Sequence, residues 1–585
     1  MRLLPLALAL AVVASTAASQ QRTTSQEPMS PPPIAPPANL PALPATQQAK
    51  MDRDLLEIDI EQLHQLYKQR KYTVEQVTRW YMGRIARYNG IYRAVQTVNT
   101  EDALATAKAL DSGPKRHVNQ PLWGVPVVIK ANTAVKGLID SDGWQGFALP
   151  GHEFIAPKDA TVVARLRAAG AIILGITNMP DFAASDTNRS TAFGRTGNAY
   201  DVRFSPGGSS GGTVTAVTSN MAILGTGTDT ANSIRMPSGT SAVVGVLPTR
   251  GLVSIAGIAP LDWLLDNTGP IARNVTDAAI ALGVMNGSGH PADPLDFRTE
   301  GTGRTEGADT AQLGPYLPYL KKDALKGKRF AVPAFMLSGN TGFGVSVAPR
   351  PTNAMRPETR AMLMRAIDQL RAAGAEVVID DTFMPDAFAQ AVRKINTRGY
   401  RRDGTNQWLA EFGPAEYRSV DAYEKAVGSP LPATVTGITP PGAAANPNRP
   451  PTPQVLLKDD PKADETYFAP RQAALALFLG ELDRLHLDGV IYPSAQMPPP
   501  DETMPQNGQL SSGPHSSTGW NNNIGVPAVV LPAGFYDSGL PFGLEISTRP
   551  WHDGDLLGWA YAYEQATKLR KPPVLVETGL LPNAR

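Results

Sequence analysis

The stretch DATVVARLRAAGAIILG, residues 159–175, decides the fold. Its first half carries apolar residues at helical spacing after Asp159, a residue type that caps helices, and Gly170 ends the pattern. The apolar run of residues 171–175 then predicts a buried strand. Upstream, GVPVVIK at residues 124–130 is a second short apolar run. Strand, helix and strand in this order predict a parallel sheet that is covered by helices.

The same alternation continues along the chain of 585 residues. Residues 53–110 predict helices, with Thr73 as an N-cap. Residues 488–494 and 525–535 predict further strands, and no long internal repeat is present. We therefore predict an α/β fold for residues 51–585, a single large domain. Its central mixed, mostly parallel β-sheet would be covered by helices on both faces.

The first 50 residues predict export and a spacer. Residues 1–19 start with Met-Arg, continue with a short apolar run and end in small residues, as a cleavable signal peptide does; an uncleaved anchor is the alternative. Residues 20–50 are rich in Pro, Ser, Thr and Gln and predict a disordered linker, and residues 429–463 predict a Pro-rich insertion. We expect a secreted or periplasmic protein with no stable membrane insertion after cleavage.

Composition excludes several function classes. Lys and Arg total 54 and Asp and Glu total 53, a net charge of +1, which gives no electrostatic case for nucleic acid as a partner. No Cys occurs, which excludes disulfides, thiolate nucleophiles and Cys-ligated metals. The seven His residues form no HExxH motif, so we expect no metal and no other cofactor. The sequence leaves the oligomeric state open.

The first candidate for chemistry is Lys130, which ends GVPVVIK. A strand of mostly Val and Ile would carry this Lys into the interior, where burial lowers the pKa of an amine and makes it a usable general base. A Lys that extends from a strand end to solvent is the alternative.

Two Gly- and Ser-rich segments are the next candidates. SPGGSSGGT, residues 205–213, holds four glycines that allow close approach to a ligand. It fits the G-x-S-x-G elbow around Ser209, but the residues before it make a poor strand, which disfavours an α/β-hydrolase. In GTGTDTANSIRMPSG, residues 225–239, Ser233 follows successive backbone N–H groups, as a nucleophile beside an oxyanion hole does.

Together these segments resemble the amidase signature family of Ser–cis-Ser–Lys hydrolases. PGGSSGG matches the glycine–serine motif of that family nearly verbatim, and GTDTANSIRMP is similar to its nucleophile loop, GTDTGGSIRxP. LGITNMPDF, DNTGPIARNVTDAA and GVPAVVLPAGF also resemble family landmarks. The resemblance covers roughly residues 55–570 apart from insertions and implies the amidase signature fold.

The resemblance also implies a role for each site residue. Lys130 falls on the catalytic base, Ser209 on the bridging proton relay and Ser233 on the acyl-forming nucleophile. The implied oxyanion hole is made of the backbone N–H groups of Thr230, Ala231, Asn232 and Ser233. The implied substrate contacts are Asn178, Gly208 and Asp229.

Three positions depart from the family pattern. The Asp that commonly follows the family's Lys is here Ala131, and the two glycines before the nucleophile are Ala231 and Asn232. Asn tolerates left-handed backbone better than most residues, so the oxyanion hole can persist while side chains narrow the space above it. These changes bear on efficiency and substrate range.

The resemblance implies hydrolysis of carboxylic amide C–N bonds, and export favours small, aryl or peptide amides over amide precursors on tRNA. The alternatives are an esterase or carbamate hydrolase on the same triad, an α/β-hydrolase with Ser209 as nucleophile, and an impaired exported binding protein. The candidates for an apolar pocket, with core packing as the alternative, are Trp144, Phe147, Trp263 and Trp520.

Overall fold

The computed structural model describes most of the chain. The described residues are 32–113, 120–286, 293, 295, 296, 312–333, 336, 337, 355–380, 382–384, 386–438, 452–503, 514 and 516–573. The predicted signal peptide, residues 1–19, and the centre of the predicted Pro-rich insertion lie outside them.

A large mixed sheet forms the centre of the molecule. The strands are β1 Val95–Val98, β2 Pro126–Lys130, β3 Ile172–Thr177, β4 Arg189–Ser190, β5 Gly194–Arg195, β6 Leu224–Asp229, β7 Val244–Leu247, β8 Asn267–Ala272, β9 Arg329–Val332, β10 Glu376–Ile379, β11 Gly489–Pro493, β12 Ala528–Phe535 and β13 Pro541–Thr548. In the described part of the chain, eleven of them make one sheet in the order β1-β3-β2-β6-β8-β7-β12-β13-β11-β9-β10, and β4 pairs with β5.

Helices flank this sheet. They are α1 Ala45–Leu55, α2 Ile60–Lys68, α3 Val74–Tyr92, α4 Thr100–Ser112, α5 Thr161–Ala168, α6 Gly211–Thr218, α7 Arg235–Thr240, α8 Val275–Met285, α9 Pro357–Ala372, α10 Asp386–Lys394, α11 Arg401–Phe412, α12 Val420–Val427, α13 Ala433–Thr436, α14 Ala469–Arg484, α15 Trp520–Ile524 and α16 Asp553–Thr567. Helix α6 packs on β6 and β2, α8 on β8 and β7, and α16 on β12 and β13.

The predicted α/β fold with a mixed, helix-flanked sheet is confirmed. Strand β2 runs parallel to both β3 and β6, as the strand–helix–strand pattern predicts. The share of parallel pairs is smaller than expected: among the described neighbours in the large sheet, four pairs are parallel and six antiparallel. The difference arises around β7, β8, β12 and β13, where consecutive neighbours alternate in direction.

The predictions for helix ends are confirmed in part. Thr73 caps α3 as predicted, in a capping box with Gln76. Asp159 does not cap α5; it accepts the Lys136 backbone N–H and pairs with Arg167 instead. Helix α1 begins at Ala45, so the last residues of the predicted 20–50 linker are helical.

Strand order places the candidate chemistry in the middle of the sheet. The register pairs Val127 of β2 with Leu224 of β6 and Val128 with Gly225. Because parallel strands end at the same edge, Lys130 at the end of β2 lies next to the loop that leaves β6. All the residues of both strands are buried. No helix within the described residues is both long enough and apolar enough to cross a membrane.

Candidate active site

Lys130 lies in the interior at the end of β2. Its side chain is fully buried, and its Nζ is 2.6 Å from the Ser209 Oγ and 2.7 Å from the Thr228 Oγ1. The Thr228 hydroxyl also accepts a hydrogen bond from the Asn132 side-chain amide, at 3.1 Å. The predicted proximity of Lys130 and Ser209 is therefore present, and Thr228 is a third partner that sequence analysis did not identify.

Burial changes the acidity of this amine. Desolvation lowers the pKa of Lys130 to about 7, although the carboxylates of Asp142, Asp229 and Asp266 oppose the shift. None of the described salt bridges includes Lys130, so no carboxylate lies close enough to hold it in the charged form. A Lys that is partly neutral at pH 7 can accept a proton from a neighbouring hydroxyl.

Glycine positions in the loop that carries Ser209 leave no room for a side chain. The Gly208–Ser209 peptide bond is cis. A Cβ on Gly208 would lie 2.5 Å from the Thr187 carbonyl oxygen, and one on Gly211 would lie 2.6 Å from the Asn188 side chain. A side chain at Gly208 would collide with backbone, and one at Gly211 would collide with the Asn188 side chain. This close packing holds the Ser209 hydroxyl against Lys130.

Ser233 lies in the loop between β6 and α7. The loop is tied to the glycine–serine segment by the Ser210 N–H, which donates to the Ser233 carbonyl at 3.1 Å. Among the described residues, no hydrogen bond joins the Ser209 and Ser233 hydroxyls. The backbone N–H groups of residues 230–233 likewise have no acceptor within the described part of the chain, which leaves them available to a ligand.

Arg235 supports this loop through hydrogen bonds and ion pairs. Sequence analysis did not identify it as a site residue. Its guanidinium is fully buried and pairs with Asp229, at 3.1 Å, and with Glu545, at 2.6 Å. It also donates to the Ala231 carbonyl at 2.6 Å and to the Asn522 side chain at 2.7 Å. Burial and these carboxylates act in opposite directions, and the carboxylates prevail, so the pKa of Arg235 rises. The sequence around Arg235 could not indicate this role, because its partner Glu545 is 310 positions away in the chain.

The predicted substrate contacts lie in supporting positions. Asp229 is fully buried and accepts hydrogen bonds from the Ile234 N–H and from Arg235, so it holds the loop in place. Asn178 is also fully buried and donates to the Gly194 carbonyl and the Thr196 hydroxyl. Direct contact of Asn178, Gly208 and Asp229 with a substrate stays a prediction; in the structure Gly208 packs closely against the backbone of residues 185–187.

The aromatic residues considered for a pocket belong mainly to the core. Phe147, Trp263 and Trp520 are almost completely buried. The Trp263 indole donates to the Tyr400 carbonyl. Trp144 is partly exposed and contacts the rings of Phe147, Phe182 and Tyr423. The core-packing alternative therefore describes three of the four.

The positions that depart from the family pattern have defined neighbours. The Ala131 carbonyl accepts from the Asp142 N–H at 2.7 Å, in a loop that brings a buried carboxylate near Lys130. The Asn232 side-chain amide donates to the Ser516 Oγ at 2.7 Å and to the Asp186 Oδ1 at 3.1 Å. Within the described residues, no group of three His, Asp or Glu could hold a metal ion.

Comparison with known proteins relates this arrangement to one family. The model of the family described as Amidase matches residues 76–557. A curated relative, a glutamyl-tRNA(Gln) amidotransferase subunit from Moorella thermoacetica, is 30% identical over 551 residues, which cover 88% of this chain and 98% of the relative.

Solved structures give the same result. The native peptide amidase of Stenotrophomonas maltophilia is 28% identical, with a TM-score of 0.66 over 88% of this chain and 98% of that chain. An amidase family protein from Bacillus anthracis str. Ames is 23% identical and shares the fold alone, with a TM-score of 0.68 over 91% of this chain and 95% of that chain. The similarity thus extends over nearly the whole length of each protein.

Proposed function

Because this chain belongs to the amidase family, we propose that it hydrolyses carboxylic amides through an acyl-enzyme on Ser233, with Lys130 as base and Ser209 as proton relay. The observation that carries the proposal is the buried contact of 2.6 Å between the Lys130 Nζ and the Ser209 Oγ. An alcohol attacks an amide only when a base removes its proton, and Lys130 is the base that the site offers.

The acylation step uses both serines. Lys130 accepts the Ser209 proton while Ser209 accepts the Ser233 proton, and the Ser233 Oγ forms a bond to the carbonyl carbon. The backbone N–H groups of residues 230–233 stabilise the oxyanion, and one such donor contributes about 2.7–4 kcal/mol. Contacts that are long in a free enzyme tighten around a bound substrate, which accounts for serines that are not yet hydrogen-bonded to each other.

The second half of the reaction returns the protons. The tetrahedral intermediate breaks its C–N bond, and the leaving nitrogen takes a proton from Ser209, which Lys130 replenishes. Water then attacks the acyl ester, gives its proton to the same relay and releases the carboxylic acid. Ser233 recovers its hydroxyl, so the cycle consumes only the amide and water.

Acyl trapping tests the assignment of the nucleophile. Mass spectrometry of the intact protein after incubation with an aryl amide or an activated aryl carbamate should show an adduct on the wild type. Ser209→Ala should still form it slowly, and Ser233→Ala should not. An adduct that persists in Ser233→Ala and disappears in Ser209→Ala would support an elbow-type esterase. Binding without turnover across amides, esters and carbamates would support an impaired binding protein.

Small, aryl or peptide amides are the substrates that we propose. The peptide amidase neighbour supports a hydrolase, whereas the curated relatives are named as amidotransferase subunits. Turnover by the isolated chain in a panel of these amides would support the hydrolase. A requirement for a second protein and a tRNA-linked substrate would favour the amidotransferase alternative.

We also propose that residues 1–19 direct export to the periplasm or the exterior. The apolar run and the small residues that follow it support this proposal. Cell fractionation with sequencing of the mature amino terminus tests it, because retention of Met1 in a cytoplasmic fraction would contradict export.

A further inference from the structure

A carboxylate lies beside the loop that carries the candidate nucleophile. Asp186 is partly exposed, and its Oδ1 accepts a hydrogen bond from the Asn232 side chain at 3.1 Å. Asn232 immediately precedes Ser233 in the chain, and its amide is fixed on the other side by the Ser516 hydroxyl. The carboxylate is therefore held at a defined place beside the loop that carries Ser233.

The same acidic residue also borders the segment that carries Ser209. A Cβ on Gly208 would lie 2.7 Å from the Ser185 carbonyl oxygen and 3.0 Å from the Asp186 carbonyl carbon. The backbone of residues 185–187 thus packs directly against the residue that precedes Ser209. Asp186 touches both of the loops whose serines would contact a substrate.

Within the described part of the chain, the Asp186 carboxylate has no cationic partner. None of the ion pairs among the described residues includes Asp186, and its second oxygen has no hydrogen-bond partner there. The supporting carboxylates differ in this respect, since Asp229 is paired with Arg235. Desolvation raises the pKa of Asp186 to about 7, so this carboxylate gains more from a cationic partner than a fully hydrated one would.

We propose that Asp186 binds a protonated amine of the substrate close to the scissile carbonyl, so that the preferred substrates are amides that carry an ammonium group. Asn232 is the positioning residue that aims the carboxylate through its hydrogen bond. The inference rests on the proposed amide hydrolysis and narrows its substrate class.

Matched substrates test this preference. L-phenylalaninamide and hydrocinnamamide differ by an amine on the acyl side. N-(aminoethyl)benzamide and N-propylbenzamide differ by an amine on the leaving group. We expect kcat/KM to favour the amine-bearing member of one pair by about 10- to 100-fold, the effect of a hydrogen bond to a charged group. The pair that shows the effect identifies the side on which the amine binds.

Asp186→Asn should abolish that preference, so that both members of the pair are cleaved with similar kcat/KM. Asp201→Asn removes a partly exposed carboxylate that pairs locally with Arg203, and it should leave the preference unchanged. A preference that survives Asp186→Asn, or wild-type protein that has none in either pair, would overturn the inference while amide hydrolysis stands.

Binding separates this inference from catalysis. Calorimetry on Ser233→Ala should show tighter binding of the same amine-bearing amide, and Asp186→Asn in that background should remove the difference. If the wild type cleaves none of the four amides, the proposed function fails, and the calorimetry still decides whether Asp186 selects amines. Equal binding of both members of each pair would then refute the selection.

Discussion

Two basic side chains near the β6–α7 turn, Lys130 and Arg235, are both fully buried, but they differ in charge. Arg235 is paired with two carboxylates and hydrogen-bonded to carbonyl and amide oxygens, so it stays charged and ties the loop to the sheet. Among the described residues, the Lys130 amine makes hydrogen bonds to two hydroxyls and one carbonyl oxygen and no ion pair, and burial lowers its pKa to about 7. Arg235 therefore keeps its charge and serves as a structural support, whereas Lys130 can act as the proposed proton acceptor, although both are equally buried. The difference is that two carboxylates are in direct contact with Arg235 and, in the part of the chain that the structure describes, none is in direct contact with Lys130.

Replacing the proton acceptor should cause the largest effect. Lys130→Met should lower kcat/KM by about 10²–10⁴-fold because it removes the general base. The free energy of unfolding should not fall, since an apolar side chain takes the place of a desolvated amine. Steady-state kinetics and urea denaturation measure the two quantities. Lys136→Met, at an exposed Lys nearby, is the control, and activity within threefold of it in Lys130→Met would contradict the assignment.

Replacing Arg235 should instead lower the free energy of unfolding. Arg235→Met leaves Asp229 and Glu545 buried without their cation, so the free energy of unfolding should fall by about 3–5 kcal/mol. Asp368→Asn breaks an exposed pair with Arg371 and should cost at most about 1 kcal/mol. Similar losses in both variants, measured by denaturant unfolding, would remove the distinction between the two cations.

The pH profile sharpens the comparison without any mutation. A base with its pKa lowered to about 7 is protonated and inactive below that pH, so kcat/KM should rise about tenfold per pH unit up to about 7 and then level off. An uncharged amide removes substrate titration from the profile. If kcat/KM instead continues to rise until about pH 10, the range of an ordinary Lys, Lys130 is not the desolvated base.

The smallest expected effect is at the second hydroxyl beside Lys130. Thr228→Val removes an acceptor that stabilises the charged amine, so the acidic limb should move to lower pH by less than one unit. Loss of positioning should lower kcat about three- to tenfold, in line with one hydrogen bond of about 1 kcal/mol. A tenfold decrease in kcat without a shift of the acidic part of the pH profile would indicate that Thr228 has a steric role alone.

Sequence analysis predicted the parts of the site that are encoded locally. The apolar residues before Lys130 indicated burial, which is present. The glycines around Ser209 predicted close approach to a ligand, and the structure shows them packed closely against the protein itself. The ion pair between Arg235 and Glu545 could not be predicted in this way, because the two residues meet only after the sheet has assembled.

Other features that the sequence did not specify have the same origin. The family resemblance placed Asp229 among the substrate contacts, whereas its hydrogen bonds to Arg235 form only in the folded interior. Strand β1 was missed because Val95–Val98 lies between helical patterns and its pairing with β3 is nonlocal. Core packing was foreseen for Trp520, but not its neighbours Phe388 and Phe478, which the local sequence does not specify.

The long separation between Arg235 and Glu545 has a consequence for synthesis. A growing chain that has emerged from the ribosome as far as β8 already contains Lys130, Ser209 and Ser233. It still lacks the hairpin of β12 and β13, which delivers Glu545 beneath the nucleophile loop. The partly synthesised chain therefore holds all three residues of the proposed triad before Glu545 is present to pair with Arg235, and the support of the nucleophile loop is completed only when β13 has been translated.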